Sequence, residues 1–265
     1  MAAGQSFSAS FSELLATTRG HFAWPSDVIL YCLSKGRELL PDKIRRLCFQ
    51  TYLQLCELPF ETKTAHNADA MSPNGLAPFL TVRIGPHLTI FSDFEKLVLF
   101  LDAQHLGLEY GGEPTLKADN EAFISLITTR VVPAEVYQTW ICPKNVNQHT
   151  AQVYCSGMPW PLRHIVPWLR RAELLWRDWK WLTTKKEDIL QDFRAACDAL
   201  HKRLGNRDAF FDGGPSCLDV LVLSHVQAVL TTTLPSNELG EIISDYPNLG
   251  NFCGTISASH NLIIN

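Results

Sequence analysis

A tight turn followed by a proline and an apolar run, at residues 72–82, constrains the fold more than any other stretch. Its sequence is SPNGLAPFLTV, with Pro78 directly ahead of Phe79. Because proline has no N–H to donate to a sheet ladder, it belongs at the start or the edge of a strand. An X-Pro bond between a glycine turn and a strand is also a place where a cis peptide can occur. The stretch therefore predicts a strand that opens at Pro78.

The segments around this strand predict a small mixed sheet with helices. Residues 28–33 are apolar throughout, as in a strand that is buried on both faces. Ser92 and Glu95 have the spacing of a capping box at the start of a helix that ends near Gly107. The other predicted elements before that helix are a helix from Lys43 to about Glu57, strand 60–64, the Pro78 strand and strand 88–90, with Lys35 to Asp42 as a polar loop. This order is that of a thioredoxin-like domain.

The second half of the chain predicts helices with few strand candidates. Ser216 and Asp219 have capping spacing at the start of a strongly apolar helix. The predicted helices are 117–140, one that follows Pro161 and carries Ile165, Trp168, Ala172, Leu175 and Trp179, and then 186–204, 217–230, 238–245 and 247–257; Cys142 to Gly157 is predicted to be a polar loop. We expect an N-terminal arm (1–26), a thioredoxin-like domain (27–110), an all-helical domain (115–257) and a short tail (258–265).

Composition excludes several classes of protein. The formal net charge is -4, which does not favour nucleic acid as a partner. The eight cysteines form no C-x-x-C motif and the nine histidines show no metal-ligand spacing, so we expect neither a metal nor a cofactor. No run of 18 apolar residues and no secretory signal occurs, so any membrane association is expected to be peripheral.

A catalytic group for thiol chemistry is hard to find. A glutathione transferase needs a hydroxyl or thiol near the first strand's end to stabilise a thiolate, and it presents backbone beside such a proline to the ligand's peptide. Tyr31 lies inside the strand, and a polar loop separates Ser34 from the helix. Phe91 stands where these enzymes usually carry an acidic residue or glutamine, so we interpret Ser92 as a structural cap. An enzyme of this type with an atypical nucleophile stays open as the alternative.

Aromatic and basic residues are concentrated between residues 160 and 186. Three interpretations compete: a core helix filled by tryptophan, a partner surface with Trp and Arg anchors, and a face for membrane or nucleic acid. The candidate surface residues are Trp160, Trp168, Arg170, Arg171, Trp176, Trp179 and Trp181.

Several stretches together resemble the metaxin family. They are Ala68-Asp69-Ala70-Met71-Ser72-Pro73-Asn74-Gly75 with Pro78-Phe79, Pro159-Trp160-Pro161-Leu162, Phe210-Phe211-Asp212, Leu218-Asp219-Val220-Leu221-Val222, Leu230-Thr231-Thr232-Thr233-Leu234, Asn237-Glu238-Leu239 and Tyr246-Pro247-Asn248-Leu249. The resemblance covers nearly the whole chain from about Trp24 and lies nearest to the branch without a tail anchor. It implies a glutathione-transferase-like fold without enzymatic activity.

The same resemblance implies a location and partners. The location is the cytosolic face of the mitochondrial outer membrane, where the protein would act in protein import and in the sorting and assembly of β-barrel proteins. The implied partners are a tail-anchored protein of the metaxin 1 type, the β-barrel sorting and assembly machinery and, for some members, motor-adaptor proteins. The apolar end, Leu262-Ile263-Ile264, departs from the more polar tail that the family predicts.

Overall fold

The computed structural model describes residues 22–84, 87–108, 114–177, 184–260 and 262. The predicted arm helix, the turn at Gly85-Pro86, most of the linker, Trp179 and Trp181 lie outside this part of the chain. The domain boundaries stay a prediction, because residues 109–113 lie outside it too.

A four-stranded sheet forms the first half of the molecule, with the strand order β2-β1-β3-β4. Its strands are β1 (Ile29–Leu33), β2 (Glu61–Ala65), β3 (Phe79–Ile84) and β4 (His87–Phe91). The β1–β2 pair is parallel, while β1–β3 and β3–β4 are antiparallel, with Tyr31 opposite Phe79 in the β1–β3 register. The thioredoxin-like arrangement predicted from the sequence is therefore confirmed.

Helices cover both faces of this sheet. They are α1 (Leu40–Leu55), the short α2 (Ala68–Met71) and α3 (Phe94–Ala103). Leu30 and Cys32 point to the face that packs against Phe49 of α1 and Phe100 of α3. Leu33 points to the opposite face, in the cluster that contains Ala68 of α2. The apolar run of β1 is thus explained by burial on both sides.

The second half of the chain is helical, as predicted. Its helices are α4 (114–141), α5 (143–154), α6 (Leu162–Arg177), α7 (Lys186–Leu204), α8 (Cys217–Thr231), α9 (Glu238–Ser244) and α10 (Pro247–Ser259). Two five-residue segments of α4, Ile127–Val131 and Tyr137–Ile141, are π-helical. Helix α1 also contributes Ile44, Leu47 and Cys48 to the core of this half, so it joins the two parts of the molecule.

The prediction of a polar loop from Cys142 to Gly157 is wrong. Most of it is α5, in which Val146–Thr150 is π-helical. Asn145 has no exposed surface, and its side-chain amide donates to the carbonyl oxygens of Gln138 and Ser236 (2.9 and 2.8 Å). Asparagine is common in loops, but a buried asparagine amide that pairs with backbone carbonyl groups is part of the core.

The start of α1 also differs from the prediction. The helix begins at Leu40, three residues before Lys43, with Pro41 and Asp42 inside its first turn. The Asp42 carboxylate accepts the N–H of Leu39 at 3.2 Å. Proline is tolerated in a first helical turn, where its missing N–H would have no partner within the helix.

Candidate functional site

The turn before β3 is tied to the start of α3 by one asparagine. The Asn74 side-chain oxygen accepts the Ser72 hydroxyl at 2.8 Å and the Leu76 N–H at 3.0 Å. Its amide nitrogen donates to the Ser92 carbonyl oxygen at 3.1 Å and to the Asp93 carboxylate at 3.2 Å. Gly75 has a φ of +70°, a backbone conformation that glycine adopts without strain. The peptide bond from Ala77 to Pro78 is cis.

The N-cap of α3 is Asp93, one residue after the predicted cap Ser92. Helix α3 begins at Phe94 with Asp93 as its N-cap, and Glu95 lies in the first turn. The Asp93 carboxylate pairs with Lys96 at 2.9 Å as well as with Asn74. Ser92 is buried between β4 and α3, where its carbonyl oxygen accepts the Asn74 amide.

The backbone beside Pro78 is already hydrogen-bonded within the protein. The Arg45 Nε donates to the carbonyl oxygen of Ala77 at 2.9 Å, and Ala77 is 2% exposed. Arg45 also pairs with the Asp42 carboxylate, whose pKa is raised by burial although Arg45 lowers it. The edge that would meet a ligand's peptide in a transferase is therefore occupied by a side chain of α1.

The loop between β1 and α1 is held by a second arginine. Arg37 ends a 3-10 turn, Lys35–Arg37, and its two Nη atoms donate to the two carboxylate oxygens of Asp69, each at 3.1 Å. The Arg37 Nη1 also donates to the His66 carbonyl oxygen, and the Nε donates to that of Tyr154 at 3.4 Å. A bidentate guanidinium–carboxylate pair fixes direction as well as distance. Arg37 thereby connects β1, α2 and α5.

The contact between the sheet and α5 is close. The His66 Nε2 lies 2.9 Å from the carbonyl oxygen of Ser156. A Cβ at Gly157 would lie 2.8 Å from the same nitrogen, and Gly157 has a φ of +81°. A side chain at position 157 would push His66 away, so a glycine is needed there.

None of the nearby thiols is poised to ionise. Cys32 lies on β1 ahead of the Arg37 loop, and burial raises its thiol pKa to about 12. Burial likewise raises the thiol pKa of Cys48 and Cys56 to about 12. The thiolate is the nucleophilic form, so these cysteines are inert near neutral pH. Within the described ranges, no group of three His, Cys, Asp or Glu side chains could hold a metal ion.

Ser216 and Asp219 form the capping box that the sequence predicts. The Asp219 carboxylate accepts the N–H groups of Phe210 (2.9 Å) and Ser216 (2.8 Å) and the Ser216 hydroxyl (2.6 Å). Both residues have no exposed surface. The box therefore fixes the loop before α8, as a structural element. His225 is also structural, because its Nδ1 lies 2.7 Å from the Glu135 carboxylate in the core.

The predicted partner residues that the structure describes, on α6 and just before it, are at or near the surface. Trp160, Trp168 and Trp176 are 79%, 71% and 94% exposed, so the interpretation of these tryptophans as core residues is wrong. Arg170 pairs with Glu173 at 2.6 Å on the same helix, and Arg171 is half-buried. The cluster is an exposed surface instead of a core.

The sequence did not predict a cleft between α1 and β2. It has a volume of about 570 Å³ and contains Arg46, which pairs with Glu38 at 2.6 Å and donates to Gln50 at 2.8 Å. Arg46, Gln50 and Gln54 recur every four residues along one side of α1, and that spacing is the signal that could have revealed the cleft.

Comparison with known proteins gives likenesses of two kinds. A family described as "Outer mitochondrial membrane transport complex protein" matches residues 47–171, and one described as "Glutathione S-transferase, C-terminal domain" matches residues 193–256. Metaxin-2 of Homo sapiens is 35% identical over 237 residues, covering 88% of this chain and 88% of that protein. Metaxin-1 of Mus musculus is 28% identical, over 84% of this chain and 72% of that protein.

Among solved structures, a glutathione transferase family member from Pseudomonas fluorescens, crystallised with two glutathione bound, has a TM-score of 0.53. It is 14% identical to this chain, and the match covers 89% of this chain and 91% of that one. This likeness concerns the fold alone.

Proposed function

The chain belongs to the metaxin family, as its sequence motifs predicted, and we propose that it is a non-enzymatic subunit of a mitochondrial outer-membrane complex. The complex would import proteins and sort and assemble β-barrel proteins of the outer membrane. Family membership supports the location and the transport role. On the basis of family membership we also propose contacts with motor-adaptor proteins.

One structural observation carries the non-enzymatic part of this proposal. The transferase-like fold is kept, but its ligand edge is closed by the protein's own side chains. Arg45 occupies the Ala77 carbonyl oxygen, and Arg37 with Asp69 fixes the loop where a thiolate-stabilising group would be needed. Since a nucleophile must be placed and activated to act, this arrangement favours a scaffold over a catalyst.

The proposed partner on the membrane is a tail-anchored protein of the metaxin 1 type. In the part of the chain that the structure describes, no helix is both long and apolar enough to cross a bilayer. A partner with its own span would hold the chain at the cytosolic face. The β-barrel sorting and assembly machinery is the proposed larger assembly.

The test is fractionation of mitochondria with and without the tail-anchored partner, followed by washing at high salt. We expect the chain to stay with the outer membrane through the wash when the partner is present and to be released when the partner is depleted. Retention through the wash without the partner would contradict the proposed anchoring. Protease treatment of intact mitochondria shows on which side of the outer membrane the chain lies, because a chain on the cytosolic face is digested without rupture of that membrane.

A further inference from the structure

Helix α6 exposes an apolar stripe that faces away from the residues that the structure describes around it. Leu162, Ile165, Leu169 and Trp176 recur with helical spacing and are 47–94% exposed. At about 100° per residue they lie on one side of the helix, opposite the buried Pro167. Among the described elements, the main tertiary contact of α6 is with α5, so the stripe is an outward ridge about 21 Å long.

The other sides of α6 are rich in arginine, while Glu173 lies beside the ridge and pairs with Arg170. Helix α6 contains four arginines and one glutamate, whereas the chain as a whole has a net charge of -4. A pocket of about 140 Å³ opens beside Trp168, and Arg163, His164 and Arg171 line it without an acidic side chain. The Nε of Arg171 is buried and finds no hydrogen-bond partner in the ranges described. The ridge therefore combines an apolar face with donors for an anionic group.

The chemistry of this surface selects its occupant. An amphipathic helix with Trp and Leu on one face and Arg on the other has the composition of a helix that lies in a membrane interface. A convex ridge enters a bilayer without the complementary groove that a protein partner would have to supply. The family's location provides the bilayer.

We propose that α6 lies in the interface of a bilayer containing anionic phospholipids. Leu162, Ile165 and Leu169 contact the acyl chains, and the exposed Arg163, on an adjoining side of the helix, binds headgroup phosphates. One such helix gives weak, reversible binding, and stable attachment takes a second signal. The tail-anchored partner supplies that second signal in the proposed complex, but the lipid contact itself depends on this chain alone.

The experiment is flotation of the purified full-length chain with vesicles. One set contains phosphatidylcholine alone, and the other contains phosphatidylcholine mixed with an anionic phospholipid. We expect co-flotation with the anionic vesicles, weaker binding to the neutral ones, and partial loss at high salt, which screens the arginine contribution. Because the partner is absent from this experiment, a lack of vesicle binding would not contradict the proposed complex. Likewise, a failure to find the complex would not contradict vesicle binding by the chain alone.

Matched variants locate the contact. Leu169→Glu is expected to reduce vesicle binding by about tenfold or more, because it replaces an inserted apolar side chain by a charge. Leu99→Glu is the control, since Leu99 is exposed to a similar degree on α3 (57% against 62%), and it should bind as the wild type does. Arg163→Gln should weaken binding to the anionic vesicles by about fivefold and leave the neutral ones unchanged. Circular dichroism and the melting temperature establish that each variant folds.

Four results would overturn the proposal. The first is no flotation of the wild type with either vesicle, and the second is equal loss in the Leu169 and Leu99 variants. The third is loss of flotation on deletion of residues 1–21, which would place the contact in the arm. The fourth is a concentration-dependent dimer that Leu169→Glu dissolves without any lipid binding, which would make a second copy the occupant.

Discussion

Two arginines hold backbone segments next to the sheet, one before Pro78 and one in the loop after β1. Arg45 covers the Ala77 carbonyl oxygen, and Arg37 binds Asp69 through two parallel hydrogen bonds. Both act through geometry that lysine cannot reproduce, because the planar guanidinium donates in a fixed fork. Both contacts are directional, and each depends on a single side chain.

Loss of the Arg37 pair should destabilise the fold. Arg37→Ala is expected to lower the free energy of unfolding by about 2–4 kcal/mol, because it removes the guanidinium that pairs with the Asp69 carboxylate and donates to two carbonyl oxygens. Arg83→Ala is the control, since Arg83 pairs with Asp27 at the surface and should change the value by about 0.5 kcal/mol or less. Urea denaturation measures both, and equal effects would show that the Arg37 pair is not structural.

His149 should make stability depend on pH. Burial lowers the pKa of His149, and its Nδ1 has no hydrogen-bond partner in the described ranges. The unfolded chain then binds a proton more readily than the folded one, so stability is full above the unfolded pKa of about 6.5 and falls below it. His149→Gln should flatten this dependence, whereas His260→Gln, at an exposed position, should keep the wild-type profile. Melting temperatures across this range test it, and identical profiles for all three proteins would contradict it.

At the scale of elements, α5 depends on a buried amide. Asn145 donates to two carbonyl oxygens and accepts the Ser236 N–H at 2.8 Å. Asn145→Ala should lower the free energy of unfolding by about 3 kcal/mol, because one buried and two partly buried backbone groups lose their partner. Asn147→Ala, two residues away and exposed, should have almost no effect. A small effect at both positions would contradict the structural role of the Asn145 amide in α5.

Elements with a regular apolar pattern could be predicted from the sequence. Strand β1 and the helices α7, α8 and α10 follow from periodicity together with the Ser216–Asp219 cap and the stop at Gly205. Helix α5 could not be predicted, because buried Asn145 and Thr150 look like loop residues until their partners are known. The π-helical segments add to the difficulty, because their wider turn shifts the apolar phase away from a 3.6-residue pattern.

The candidate sites were only partly predictable for a related reason. The apolar period of α6 indicates a two-sided helix but not which side faces the core, since that depends on what packs against it. The sequence pattern is therefore compatible with tryptophans in the core as well as at the surface. Arg37 and Arg45 gave no signal, because their partners lie 32 positions away in the sequence.

For the whole molecule, the proposed function makes a glutathione-transferase-like fold a scaffold instead of a catalyst. Addition of glutathione should leave the melting temperature unchanged, because a ligand stabilises only the protein that it binds, and a concentration of 100 times the Kd would add about 2.7 kcal/mol. A glutathione transferase assayed in parallel is the positive control. An upward shift together with turnover of an electrophile would support the alternative enzyme.

Isolation of the chain from mitochondria in mild detergent, with identification of its stoichiometric partners, tests the proposed role most directly. We predict that it is recovered together with a tail-anchored protein of the metaxin 1 type and with subunits of the β-barrel sorting and assembly machinery. Recovery as a monomer, or with no outer-membrane protein bound, would contradict the assignment as a complex subunit.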